Sequence, residues 1–248
     1  MKSKIIILTI LSLFIFSCKS DDESVETPQI PAEERLIQNI NFFNDTDIAL
    51  SYNPDKTVKT INFAGQAIFF FTYSENQINT IEVTGAIGNG MYTFTYDNND
   101  RISTFAFNDE VTPVVWNEAH RSYFYKNENF DEVTITLKPN NDIEKIKYVE
   151  AGDNDPYSIN YIYEESKKGT MTNSNEIATA IEMIFPHYGL ELYTGTLAKK
   201  PIKIVAGSVM ICTYNNTYDD QDFVSASTLS VSGTSAEPSP IIYTYMKL

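Results

Sequence analysis

The sequence predicts an all-β domain: an antiparallel meander of repeated hairpins, curled into a large sheet or barrel, with one short helix packed on or in it. Three observations support this fold class. Apolar segments led by an aromatic residue alternate with period two, Asn- and Asp-rich turns separate them, and the resulting unit recurs along most of the chain. Hydrophobic residues make up 42% of the 248 positions, enough for a packed core. We therefore predict one β-repeat domain over residues 35–248.

The first residues predict an exported chain. Two lysines precede an apolar stretch over residues 5–16, which is the arrangement of a signal peptide. This stretch is shorter than the roughly 20 residues that a membrane-spanning helix needs. The segment Ile15-Phe16-Ser17-Cys18 resembles a bacterial lipobox, which implies a lipoprotein signal peptide over 1–17 and acylation of Cys18. An ordinary secretory signal followed by an unmodified cysteine is the alternative.

Residues 18–34 predict a lipidated cysteine followed by a flexible acidic spacer, because they hold few large apolar groups and several carboxylates. The run over residues 19–23, with sequence KSDDE, resembles the acidic export signal of Bacteroidota surface lipoproteins. This resemblance implies an outer-membrane protein that is anchored by lipid and displayed on the cell surface. A solvated linker on a lipoprotein of the periplasmic face is the alternative.

The clearest repeat unit spans residues 92–107. A strand at 92–96 is followed by a polar turn and then by Ile102, Phe105 and Phe107. The same spacing, or one residue less in the turn, follows other leading residues: Tyr52, Tyr73, Tyr125 and Leu137, and more weakly Tyr163 and Tyr218. Each unit predicts a β-hairpin with one buried and one solvated face.

The polar clusters between strands predict turns. Residues 97–100 and 139–142 are rich in Asn and Asp, which tolerate left-handed backbone and hydrogen-bond to it locally. Calcium ligands are the alternative, but neither cluster has the glycine and glutamate spacing of an EF-hand loop. Gly85, Gly88 and Gly90 likewise predict a turn between strands rather than a dinucleotide loop, since no helix follows them.

One segment predicts a helix over about 174–185. Asn173 and Glu176 have the spacing of a helix start, and Pro186 is expected to end the helix. An apolar stripe follows at helical spacing: Ile177, Ile181 and Ile184. We predict that this helix plugs or covers the open side of the sheet. After a long connection, strands are expected to resume at 202–205, 209–218, 223–231 and 241–245.

The hairpin units resemble the YD repeats of RHS-type proteins. The order of repeats, helix and the segments 185–190, 199–202 and 243–245 resembles a family of uncharacterised Bacteroidota lipoproteins described as having a porin-like fold. This resemblance covers nearly the whole mature chain. It implies a curled or closed antiparallel sheet, and it implies no reaction, because none is assigned to the family.

Charge and composition exclude several functions. The formal charge of −15 disfavours nucleic acid and a basic lipid-docking patch, so we expect membrane contact through the lipid anchor only. His120 and His187 are the only two histidines, which is too few for a multi-histidine metal centre, and we predict no cofactor. With Cys18 acylated, Cys212 is predicted to be a buried small hydrophobe rather than a catalytic thiol.

The chain has no serine-hydrolase, zinc-protease or phosphate-loop motif. We therefore predict a non-catalytic envelope lipoprotein that acts as a binding or structural module for a glycan or an envelope protein. Trp116, predicted to lie between units, is the first candidate for an exposed ligand-binding aromatic. The alternative is a hydrolase that uses paired carboxylates on the same scaffold. A barrel that itself spans the outer membrane is disfavoured, because most apolar runs are shorter than the required 9 to 11 or so residues.

Overall fold

The computed structural model describes residues 35–42, 46–126, 130–150, 152, 155–171, 176–186 and 189–247. They form a closed antiparallel β-barrel in which each strand pairs with its neighbours in chain order and the last strand pairs with the first. The strands are β1 (Arg35–Phe42), β2 (Thr46–Tyr52), β3 (Val58–Phe63), β4 (Ala67–Ser74), β5 (Gln77–Gly85), β6 (Gly90–Tyr96), β7 (Ile102–Phe107), β8 (Glu110–Asn117), β9 (Ser122–Tyr125), β10 (Phe130–Leu137), β11 (Ile143–Glu150), β12 (Tyr157–Tyr163), β13 (Ile202–Ala206), β14 (Ile211–Tyr218), β15 (Val224–Val231) and β16 (Ser239–Lys247). The predicted meander of hairpins is therefore confirmed. The predicted signal peptide, Cys18 and the spacer lie outside the described residues.

Alternating side chains give the barrel an apolar lumen and an outer wall on which polar side chains are mixed with exposed apolar ones such as Phe70, Val115 and Ile242. Inward-facing residues such as Ile61 and Ile146 are fully buried. Outward-facing residues form polar cross-strand pairs, such as Thr72 with Thr80, whose hydroxyl oxygens are 2.7 Å apart. A membrane-spanning barrel has the opposite pattern, with apolar side chains on its lipid-facing wall and a polar interior. The hydrophobic core of this chain is therefore the lumen of the barrel.

Tight turns at one end of the barrel use acidic side chains to bond the backbone. Between β6 and β7, Asp97 Oδ1 accepts hydrogen bonds from the backbone N–H groups of Asn99 (2.8 Å) and Arg101 (3.0 Å). Asp219 repeats this pattern between β14 and β15. The prediction that the Asn- and Asp-rich cluster at 97–100 forms a turn is therefore confirmed.

Tyrosines at the same end join neighbouring strands. Each ring packs inward, and its hydroxyl donates a hydrogen bond to a carbonyl near the start of the preceding strand. The four bonds, between 2.7 and 2.9 Å long, run from Tyr52 to Ile37, Tyr96 to Ile78, Tyr163 to Ile143 and Tyr245 to Val224. We call this end of the barrel the tyrosine end. The bonds give a physical reason for an aromatic residue with a hydroxyl at a fixed place in the hairpins.

Tyr96→Phe is expected to lower the free energy of unfolding by about 1 kcal/mol, because the Ile78 carbonyl loses a hydrogen bond. Tyr73→Phe is the matched control. Tyr73 leads another repeat, but its buried hydroxyl has no hydrogen-bond partner among the described residues. Its removal is expected to leave the free energy of unfolding unchanged or to raise it. Urea unfolding measures both variants, and equal losses would contradict the role assigned to the Tyr96 hydroxyl.

The connection between β12 and β13 enters the barrel and fills its lumen. It carries α1 (Ile177–Ile184) and α2 (Glu191–Thr194). Seven of the eight residues of α1 are buried, and the Tyr125 hydroxyl of β9 donates to the Met183 carbonyl at 3.1 Å. The prediction that the helix packs on or in the sheet is confirmed, and its position is inside. Within the described chain, no helix is long and apolar enough to cross a membrane.

The observed helix differs from the predicted one in its bounds and its burial. α1 begins at Ile177, after Glu176 in a left-handed conformation (φ 33°) without a side-chain cap bond, and the predicted start at Asn173 lies outside the described residues. The helix ends at Ile184, before Pro186 is reached. Residues of α1 outside the predicted apolar stripe are also buried, because the helix lies within the lumen and is surrounded by the strands of the barrel.

Three parts of the wall differ from the predicted repeats. β1 lies ahead of the first predicted unit and closes the barrel by pairing with β16. Trp116 lies within β8, although the sequence predicts a connection there. The prediction of a hairpin led by Tyr163 is wrong, because the chain continues from β12 into the lumen rather than into a neighbouring strand.

Candidate functional site

Two carboxylates lie inside the lumen. Glu182 of α1 is 1% exposed, and Glu191 of α2 is 8% exposed. Burial and then the charge of Glu191 raise the pKa of Glu182 from 4.5 to about 8, against the opposing effect of hydrogen bonds with Thr194 and Tyr148. Glu182 is therefore a neutral carboxylic acid at pH 7.

Tyrosine side chains of the barrel wall surround these carboxylates. Tyr125, Tyr161 and Tyr163 are buried near Glu182, and burial raises the pKa of each hydroxyl well above its ordinary value of 10.0. The adjacent cavity, lined in part by Thr194, has a volume of about 20 Å³. That is room for about one water molecule. Among the described residues, the lumen thus brings two acids close enough for the charge of one to raise the pKa of the other.

Asp142 forms hydrogen bonds with the segment that leads from the lumen to β13. Its carboxylate accepts hydrogen bonds from the backbone N–H groups of Lys199 (2.7 Å) and Lys200 (3.0 Å), and from the Asn140 side chain (2.7 Å). Burial raises the pKa of Asp142, and these hydrogen bonds oppose the rise. The side chain thus connects the β10–β11 turn to the chain ahead of β13.

A second polar site lies at the tyrosine end, where wall turns meet the start of α1. It is a cleft of about 430 Å³, a size typical of small-ligand sites. Ile78 and Ile102 form its apolar floor. Its carboxamides belong to Asn76, Gln77, Asn99 and Asn141. Its carboxylates belong to Glu75, Asp100 and Glu176, and its cation is Arg101.

Arg101 and Glu176 lie side by side in the lining of the cleft, and we call them the central pair. The Arg101 guanidinium carbon lies 4.4 Å from the centroid of the Trp116 ring, so the side chain is stacked. Arg101 Nη1 is 3.8 Å from Glu176 Oε1, an ion-pair distance that is longer than a hydrogen bond. The Tyr123 hydroxyl donates to Glu176 Oε2 at 3.3 Å. The pair therefore places hydrogen-bond donors and an acceptor side by side, with capacity left for a ligand.

The charge of Glu176 is set by two opposing effects. Burial raises the pKa of its carboxyl, while the charge of Arg101 and the hydrogen bond from Tyr123 lower it. The guanidinium thus favours the ionised form of Glu176, and the ionised form is the stronger hydrogen-bond acceptor. Arg101 is therefore important for the chemistry of the cleft as well as for its shape.

Trp116 supports the cleft and is not an exposed platform. Its side chain is half-buried, its ring centroid is 4.7 Å from that of Tyr123, and its Nε1 donates to Glu118 Oε2 at 2.6 Å. Sequence reasoning did not identify Arg101 or Glu176, because the first ends a turn and the second precedes a helix. Neither position has a local motif that indicates the other.

The other sequence candidates lie away from the cleft. His120 is exposed in a short 3₁₀ turn, and His187 lies outside the described residues. Cys212 is fully buried in β14, as predicted, and burial raises the pKa of its thiol. Among the described side chains, no group of three or more His, Cys, Asp or Glu could hold a metal ion.

The fold and the cleft define a plugged antiparallel β-barrel with a ligand-sized site at one end. No protein-family model and no curated protein matches the chain. Similar solved structures include a porin-like protein from Bacteroides uniformis (13% identity, TM-score 0.48, covering 85% of this chain and 95% of that one). A porin-like protein from Bacteroides vulgatus is also similar (12% identity, TM-score 0.49, covering 86% of this chain and 100% of that one). At these identities the likeness concerns the fold alone.

Proposed function

We propose that this chain is a lipid-anchored protein of the bacterial cell envelope that binds a polar ligand in the cleft and carries out no reaction on it. The observation that carries the binding role is the placement of Arg101 beside Glu176 in the lining of the cleft. Stacking on Trp116 orders the guanidinium before a ligand arrives. Such preorganisation lowers the entropic cost of binding.

The proposed location rests on the N-terminal sequence. The lipobox-like segment supports acylation of Cys18, and the acidic run 19–23 supports display on the cell surface, with the periplasmic face as the alternative. Two acyl chains suffice for stable membrane anchoring. Polar cross-strand pairs on the outer wall, such as Thr72 with Thr80, are consistent with a domain that stays in water beside the membrane.

The lumen carboxylates do not favour the alternative hydrolase. A glycosidase needs two carboxylates on either side of the scissile bond, and therefore space for a sugar between them. Glu182 and Glu191 are instead buried, and Thr194, which donates a hydrogen bond to Glu182, lines a cavity that holds about one water molecule. Their role in the proposed function is structural.

A thermal-shift screen of saccharides, amines, short peptides and organic acids tests the binding role. At least one class is expected to stabilise the wild-type protein. Arg101→Ala is expected to lose that stabilisation, because it removes the central donor. Asn215→Ala, exposed on β14 in the outer wall, is the control and should retain it. Equal stabilisation of the wild type and Arg101→Ala, or no stabilisation by any class, would contradict the proposal.

A further inference from the structure

We infer that the ligand of the cleft is a neutral saccharide, an inference that rests on the proposed binding function. Three observations point to this class. The lining is rich in carboxamides, its central pair offers a donor beside an acceptor, and its charges disfavour an anionic ligand.

The carboxamides suit a ligand that both donates and accepts hydrogen bonds. Each Asn or Gln side chain presents an acceptor oxygen and an NH₂ donor. Two of them are oriented by the protein: Gln77 Nε2 donates to Asp100 Oδ1 at 2.8 Å, and Asn141 Oδ1 accepts from Arg121 Nη2 at 2.9 Å. Gln77 therefore keeps its oxygen for a ligand, and Asn141 keeps its NH₂ group. Sugar hydroxyls complement such mixed donors and acceptors, because each hydroxyl has both roles.

Arg101 and Glu176 also require a ligand that both accepts and donates hydrogen bonds. Arg101 and Glu176 are separated by 3.8 Å, so one hydroxyl, or two adjacent hydroxyls, can accept from the guanidinium and donate to the carboxylate. Hydrogen bonds to ionised groups contribute more to binding than neutral ones do. Adjacent ring hydroxyls of a sugar can thus hydrogen-bond to both Arg101 and Glu176, and they add no charge to the ion pair.

Charge argues against an anionic ligand, and against a cation bound directly at Glu176. Glu75, Asp100 and Glu176 outnumber the single cation of the described lining, so an added anion meets net repulsion. An added cation would have to sit beside Arg101 to reach Glu176. The floor residues Ile78 and Ile102 are 3% and 1% exposed, and Tyr96 is the aromatic side chain of the described lining.

Isothermal titration of the full-length protein tests the inference with three probe sets: short neutral oligosaccharides, the same backbones carrying uronic acids, and short basic peptides. A neutral oligosaccharide is expected to bind, and its uronic counterpart to bind about tenfold more weakly or worse. Arg101→Ala and Gln77→Ala are each expected to weaken neutral-sugar binding about tenfold, since each removes a polar contact. Asn215→Ala should bind like the wild type.

The outcomes separate the ligand class from the binding role. If uronates or basic peptides bind more tightly than neutral sugars and lose affinity in both cleft variants, the saccharide class is overturned and the proposed binding function stands. If no probe set shows binding that depends on Gln77 and Arg101, both are overturned. Circular dichroism and thermal melting of each variant check its fold, and Gln77→Ala carries the test should Arg101→Ala fail to fold.

Discussion

Wild-type protein is expected to lose roughly 5 kcal/mol of unfolding free energy as the pH rises from about 4.5 to about 8, and Glu182→Gln is expected to remove most of this loss. The folded-state pKa of Glu182 is raised above the ordinary value, so the folded protein holds a proton that the unfolded chain releases. The stabilising effect is fully present below pH 4.5, decreases as the pH approaches 8, and is absent above it.

The physical cause is the enclosure of Glu182. Within the part of the chain that the structure describes, no cation is among the groups that affect its charge: Glu191 raises its pKa, and Thr194 and Tyr148 supply neutral hydrogen bonds. Ionisation therefore places an uncompensated charge in the lumen, at a cost that the neutral amide of Gln avoids. The amide oxygen of Gln can still accept the hydrogen bond from Thr194.

Urea unfolding at a series of pH values measures this prediction. Glu82→Gln, at an exposed position of β5, is the matched control and should follow the wild-type profile. A smaller slope is expected to remain in Glu182→Gln, because burial also raises the pKa values of Asp142 and Glu176. A wild-type profile that is flat between pH 4.5 and pH 8 would rule out a buried neutral Glu182.

Cys18→Ala is expected to move nearly all of the protein from the membrane fraction to the aqueous fraction without unfolding the barrel. Each buried CH₂ group of an acyl chain contributes about 0.8 kcal/mol to membrane affinity, so the loss of two or more chains removes stable anchoring. Fractionation of cells that express each variant, followed by immunoblotting, measures the distribution.

Cys212→Ala is the matched control, because Cys212 is the only other cysteine in the sequence. Its side chain is fully buried in β14, where acylation is sterically excluded, so this variant should remain in the membrane fraction. Retention of Cys18→Ala in the membrane fraction would reject the proposed anchor. Surface proteolysis of intact cells then distinguishes cell-surface display from the periplasmic face.

Local rules were sufficient to predict the hairpins and their turns. The period-two alternation in β12 determines which face is buried, and Asp97 and Asp219 bond to backbone groups two and four residues away. These interactions connect near neighbours in the chain, so a single sequence displays them. The same locality explains the error at Trp116, because β8 carries a proline and no leading tyrosine, and its pairing partners decide its conformation.

The cleft could not be predicted in the same way. Arg101 and Glu176 lie in different elements, and they meet because α1 enters the lumen beside the β6–β7 turn. Glu182 is equally uninformative in the sequence, where one carboxylate near the end of an amphipathic helix indicates a solvent-facing position. Its burial follows from the closed wall around the helix.

The amino-acid sequence by itself determined that this chain forms antiparallel hairpins with apolar inner faces, that a helix interrupts them, and that its N-terminus resembles an export and acylation signal. The tertiary structure alone decided that the sheet closes through β1 and β16, that the helix lies inside, and that Arg101 faces Glu176. The division has one physical reason. Strand alternation and turn chemistry depend on residues a few positions apart, whereas closure, enclosure and site assembly depend on contacts between segments that are far apart in the chain.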